Sequence, residues 1–180
     1  MQATQFLITT IFDLYLMVVL LRIWMQMARA DFYNPVSQFV VKATNPVIVP
    51  LRRIIPGFAG LDMAGILLAF IVGFAKFAVL QLMFGNGFPA GQLAIVSLIS
   101  IFKEAFNLIF WVMVIRAILS WISQGYNPIE ALLHQLTEPL LAPIRKFIPP
   151  MGGLDLSMLI FLIGMQFFQF LLQDILRSFF

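Results

Sequence analysis

Asp13 and Lys76 have the strongest reason to do chemistry, because each carries a charge into a long apolar run. Asp13 stands about eight residues inside the first run, and Lys76 about eight residues before the end of the second. At about 1.5 Å per helical residue, antiparallel helices would hold both about 12 Å below one membrane surface. A lone charge near the bilayer centre costs about 3 kcal/mol or more, so such groups pair or face a water-filled cavity. The chemistry on offer is an interhelical clasp or an ion or proton site. When the internal repeat is aligned with one residue of slippage before the loop, Asn107 and Gln169 fall where Asp13 and Lys76 do, an amide pair in place of a charged one. Gln166, Gln169 and Gln173 share one face of the last apolar run. That stripe suits a polar helix interface or the wall of an aqueous path.

Other candidates are fewer. His134 is the only histidine, and the chain has no cysteine, which removes thiolate metal sites, disulfides and cysteine nucleophiles. Glu130 and Glu138 lie eight residues apart across an expected helix break, with no basis for acid–base work. No Ser-His-Asp set, phosphate loop or dinucleotide fingerprint occurs, so neither catalysis nor a cofactor is expected. Arg22 and Arg116 sit near the ends of the first and third runs, where long stems would let them snorkel to the headgroups.

The elements that must position these groups are membrane spans. Apolar residues make up 62% of the chain and charged residues 11%, against roughly 45–50% and about 25% in soluble domains. About 20 apolar residues cross a hydrocarbon core about 30 Å thick. Four stretches qualify, near 6–28, 61–84, 105–122 and 154–176, the third with an apolar extension over 92–102. Residues 85–89, Gly-Asn-Gly-Phe-Pro, read as a tight turn. The first run has neither a basic leader nor a small-residue cleavage site, and is expected to be retained as a span. Arg29, Lys42, Arg52, Arg53, Arg145 and Lys146 follow spans one and three, whereas Lys103 and Arg177 lie on the opposite side. Six bases against two predict cytoplasmic long loops and both termini outside.

The two long loops are copies of one another. A shift of 93 residues carries Asn34-Pro35 onto Asn127-Pro128, Thr44 onto Thr137, Pro46 onto Pro139 and Pro50 onto Pro143. The same shift carries Arg52-Arg53 onto Arg145-Lys146, Pro56 onto Pro149, and Gly60-Leu61-Asp62 onto Gly153-Leu154-Asp155. The chain therefore reads as an all-α membrane protein of two parallel helix-loop-helix repeats, 1–88 and 89–180. Each loop should open with an amphipathic helix about ten residues long. Val36, Phe39, Val40 and Ala43 form its apolar face in one copy, and Ile129, Leu132, Leu133 and Leu136 in the other. Asn34 and Asn127 are N-caps ahead of a first-turn proline. Three prolines in eleven positions then predict a stiff, irregular connector. Asp62 and Asp155 are placed to cap the spans that follow, or to pair with the basic residues of their own loops. Arg52, Arg53, Arg145 and Lys146 suit either simple positive-inside anchoring or a specific contact with anionic headgroups or a protein. Short basic pairs without interleaved stacking aromatics do not suit nucleic acid.

These loops carry a family resemblance. Tyr33-Asn34-Pro35, Asn45-Pro46-x-x-x-Pro50-Leu51-Arg52-Arg53-Ile54-Ile55-Pro56 and Gly60-Leu61-Asp62 resemble the YggT family of bacterial and chloroplast membrane proteins. So do Arg116 to Trp121, Pro139-x-x-x-Pro143-Ile144-Arg145-Lys146-x-Ile148-Pro149 and Gly152-Gly153-Leu154-Asp155-Leu156-Ser157. The doubled unit looks like the proteobacterial form, although Arg22-Ile23-Trp24 departs from the Arg-to-Trp spacing of the second copy. The resemblance implies a multi-pass inner-membrane protein, linked to osmotic or salt-stress tolerance and potassium uptake, or to division and nucleoid organisation. In plastids it implies haem attachment, which fits poorly with no cysteine and a single histidine. It supplies no catalytic residue. A non-enzymatic assembly or scaffold role is the leading expectation, with ion transport through Asp13, Lys76, Asn107 and Gln169 as the competing one. Four spans leave much helix surface for lipid, a homo-oligomer or a larger membrane partner.

Overall fold

The computed structural model describes residues 2–57, 60–85, 89–122, 127–148 and 156–179. Within them the chain is all helical: α1 (Gln2–Met27), α2 (Pro35–Ile54), α3 (Met63–Phe84), α4 (Ala90–Ile122), α5 (Pro128–Phe147) and α6 (Leu156–Phe179). Four of these, α1, α3, α4 and α6, are long and apolar enough to cross a membrane. The chain packs as two compact units, Met1–Ala105 and Phe106–Phe180. This is a division by packing, drawn at a different place from the division by internal similarity.

In the first unit α1 packs against α3, and α2 packs against both. Leu16, Val19 and Ile23 of α1 meet Ala64, Leu68, Ala69 and Val72 of α3, with Ile48 of α2 completing the core. The buried face of α3 is rich in small residues, Ala64, Gly65, Ala69 and Gly73. Small residues let backbones approach where lipid offers no hydrophobic drive of its own. A side chain at Gly65 would meet Ile23 Cγ1 at 3.1 Å, and one at Gly73 would meet Ile101 of α4 at 3.2 Å. α1 ends in a paired cap: Ala30 N–H bonds Met25 O at 2.9 Å and Arg29 N–H bonds Gln26 O at 3.2 Å. Arg29 takes the left-handed position at φ 51°, a place usually given to glycine.

The third span takes the earlier start that its apolar extension allows: α4 is one helix of 33 residues that begins just after Pro89 and runs through Lys103 and Glu104. Two other expectations differ from this architecture. The long loops hold no irregular proline connector. Pro46 and Pro50 lie inside a single 20-residue helix, and Pro139 and Pro143 inside another. Each pair is spaced by one turn, so both rings and both lost hydrogen bonds fall on one side. That side is exposed in both helices, and a helix curves readily with its outer carbonyls turned outward. The buried face of α2 also differs, being Ser37, Val40, Thr44 and Ile48, while Phe39 is 63% exposed. In α5 the expected Leu132, Leu133 and Leu136 are buried, joined by Thr137 and Leu141, and Ile129 is exposed.

The tightness of the α1–α3 contact is testable at its glycine. Gly65→Val should lower stability by about 1–3 kcal/mol through overpacking against Ile23. Thermal unfolding in detergent reads the loss, and Ile23→Ala in the same chain should restore part of it.

Candidate functional site: polar locks between spans

Lys76 is 5% exposed, and its ammonium is held from three directions. It donates to Asp13 Oδ1 at 2.7 Å and to Ser100 Oγ at 3.0 Å. The Phe77 ring centroid lies 4.8 Å from its Nζ. One cation therefore joins α1, α3 and the first half of α4. Ser100 was not singled out in the sequence. The signal available was a serine in the apolar extension before span three, two turns after Gln92 and Leu93. The side chain of Asp13 is 25% exposed and that of Lys76 6%, so the carboxylate is the open end of the pair.

Asn107 and Gln169 do not repeat this clasp. Both are half-buried, and no hydrogen bond joins them among the described residues. The neighbouring positions make the contact instead: the rings of Phe106 and Phe168 meet at a tilt, with centroids 5.4 Å apart. Neutral amides at this depth have no charge to neutralise, so an aromatic contact can hold the two helices in their place.

The interaction common to both units involves the residues expected to snorkel. Arg22 is 5% and Arg116 8% exposed, and each turns inward to the amphipathic helix of its own unit. Arg22 Nη1 donates to Thr44 Oγ1, to Asn45 Oδ1 at 2.8 Å and to Val41 O at 3.4 Å. Arg116 Nη1 donates to Thr137 Oγ1, and its Nη2 to Glu138 Oε2 at 3.4 Å. Thr44 in turn donates to Val40 O at 2.7 Å and Thr137 to Leu133 O at 2.6 Å. Both threonines are 0% exposed. Each hydroxyl thus accepts a hydrogen bond from arginine and donates one to a helix carbonyl. A buried guanidinium needs such acceptors because water does not reach it. The coincidence of Thr44 with Thr137 in the repeat was the sequence signal, but it did not name the arginines.

The basic pairs divide by role. Arg52 Nη2 donates to Asp62 Oδ2 at 2.6 Å and to Gln26 at 3.2 Å, and its Nε to Asp62 Oδ1 at 3.2 Å. Arg145 donates to Glu138 Oε1 at 2.6 Å. Glu138 also takes His134 Nε2 at 3.3 Å, so it gathers two arginines and the histidine. Arg53 and Lys146 are exposed and make no hydrogen bond or ion pair among the described residues.

Among the capping residues, Asn34 accepts from Val36 N–H at 2.9 Å and Asn127 from Ile129 N–H at 3.0 Å. Of the two roles expected of Asp62, the structure shows the pairing: it stands at the head of α3, its side chain makes no cap hydrogen bond, and its carboxylate is held by the guanidinium of Arg52. Burial pushes the Asp62 carboxyl up. The Arg52 hydrogen bond, the backbone N–H of Gly65, and the charges of Arg52 and Arg22 bring it below its ordinary value. Asp155 lies outside the described residues, as do the loop positions 86–88. No group of three or more His, Cys, Asp or Glu residues able to hold a metal occurs among the described residues.

A family model, CCB3/YggT, matches residues 1–83 and 95–176. The chain belongs to the CCB3/YggT family. A protein in the proC 3′ region of Vibrio alginolyticus is 58% identical, over 98% of this chain and 96% of its own length. Protein YggT of Escherichia coli K12 is 45% identical, over 99% of this chain and 93% of its own. A Haemophilus influenzae protein is 38% identical, over 96% of this chain and 93% of its own. No solved structure matches the chain. With four apolar spans and this family, it is a multi-pass membrane protein.

Two measurements probe these locks. Asp13→Ala leaves the Lys76 ammonium without its countercharge and should cost about 3 kcal/mol in detergent melts. The double change Asp13→Asn with Lys76→Gln should cost less, and equal stability of all three proteins would exclude the pairing. For Asp62, a folded pKa below the unfolded one means stability present at neutral pH and lost as pH falls through the folded value. The stability gap between the native chain and Asp62→Asn should therefore be constant near neutrality and close below about pH 4.

Proposed function

We propose that this protein is a non-enzymatic assembly or scaffold protein of the bacterial inner membrane, with α2 and α5 at the cytoplasmic face and both termini in the periplasm. The observation that carries the reading is the use of the deep polar groups. Lys76 and Asp13 are bonded helix to helix, and Arg22 and Arg116 are bonded to the amphipathic helices. Groups spent on fixing helices to one another serve a rigid frame. The excess of Lys and Arg after spans one and three supports the orientation. Osmotic or salt-stress tolerance and organisation of the envelope or of division are the settings that the family resemblance implies for such a frame.

The competing reading is ion transport, including potassium uptake, and one observation favours it: Asp13 is 25% exposed on its side chain, so an ion could approach the pair from that side. Potassium flux into proteoliposomes separates the two. The scaffold reading expects flux equal to protein-free vesicles, in the native chain and in Lys76→Gln alike. Flux present in the native chain and abolished by Lys76→Gln would replace it with the transport reading.

A further inference from the structure

The last turns of α2 and α5 end in the same way. At equivalent positions of the repeat, Arg52 and Arg145 turn inward to Asp62 and Glu138. The next residue, Arg53 or Lys146, points outward and has no partner among the described residues. The residue after that is apolar and open: Ile54 is 79% exposed and Phe147 86%. These are the most exposed large apolar side chains of their helices among the described residues.

The level of this turn in the first unit is fixed by Arg52. Its bonds to Gln26, one residue before the end of α1, and to Asp62, one residue before the start of α3, hold it beside the ends of two spans. Span ends are where hydrocarbon gives way to headgroups. The rest of α2 agrees with this placement. Phe39, Pro46, Val47, Pro50 and Ile54 form one exposed apolar stripe at helical spacing. Lys42 and Arg53 flank it, and the side carrying Val40, Thr44 and Ile48 is buried in protein. A helix divided into a protein face, an apolar face and a basic edge fits a surface that is itself apolar below and anionic above.

We propose that the C-terminal turns of α2 and α5 are twin lipid anchors, in which Arg53 and Lys146 bind the phosphate of an anionic lipid headgroup while Ile54 and Phe147 enter the acyl boundary beside it. An acidic protein would also match the bases, but the first of these turns lies at the level of the span ends, where headgroup phosphates and acyl chains are already at hand. The inference rests on the four membrane spans and not on the scaffold reading, so the flux result leaves it standing.

The test uses the full chain. In intact-protein mass spectrometry from neutral detergent with equimolar phosphatidylglycerol and phosphatidylcholine, the native chain should retain phosphatidylglycerol preferentially. Arg53→Gln and Lys146→Gln should each lower that preference about fivefold. Because the chain has no cysteine, Ile54→Cys and Phe147→Cys each accept a single nitroxide. In bilayers of the same two lipids the label should be reached by oxygen more than by a water-soluble nickel chelate. An unchanged lipid preference in both glutamine variants overturns the proposal, as do labels reached mainly by the chelate. Chelate-accessible labels, together with displacement of bound phosphatidylglycerol by inorganic phosphate, would reassign the bases to a soluble anion or an acidic protein.

Discussion

Arg22 and Arg116 each carry a guanidinium into a region where hydrocarbon and protein exclude water, and the surrounding structure supplies the solvation that water does not. A guanidinium has five N–H groups and no acceptor, so it must find oxygens in a fixed fork geometry. In each unit those oxygens come from the amphipathic helix, through a threonine that relays the bond to its own backbone. The consequence reaches beyond the pair. A helix that would be marginal alone in water is pinned to a span, and its orientation about its axis is set by which side carries the threonine. In the first unit that orientation places Ile48 in the core formed by α1 and α3, and leaves the proline side exposed.

The same requirement is met by different chemistry in the two units. In the first, the second acceptor of the span arginine is the neutral Asn45, and the loop arginine finds its carboxylate at Asp62. In the second, Glu138 stands at the position equivalent to Asn45 and serves Arg116, Arg145 and His134 together. Deeper in the spans the contrast reverses. The first unit holds the charged Asp13–Lys76 pair with Ser100, whereas in the second the aromatic contact of Phe106 with Phe168 lies beside uncharged Asn107 and Gln169. The two units thus hold different polar contents, because each lock needs only complementary groups at one depth, not a particular residue.

Much of this was legible in sequence for definable reasons. Spans follow from apolar length, the caps from Asn-Pro at the start of each amphipathic helix, and the Asp13–Lys76 meeting from equal depth in antiparallel neighbours. The prolines misled, because a proline read locally signals a break. Two prolines one turn apart on an exposed side instead leave the buried hydrogen bonds of the helix intact. Arg22 misled for a related reason: its distance from the span end allows a snorkel, and sequence does not reveal that a helix lies over it with acceptors in reach.

The sequence by itself determined an all-helical, four-span membrane chain with a doubled loop, because hydrocarbon thickness and backbone hydrogen bonding leave few alternatives to a long apolar segment. Only the tertiary structure decided which member of each basic pair turns inward, where the arginines of the spans go, and that Ser100 joins the lysine. Those choices depend on the rotation of one helix against another. Periodicity gives the faces of a helix, but the packing of Gly65 on Ile23 and of Thr44 on Arg22 selects which face meets which neighbour.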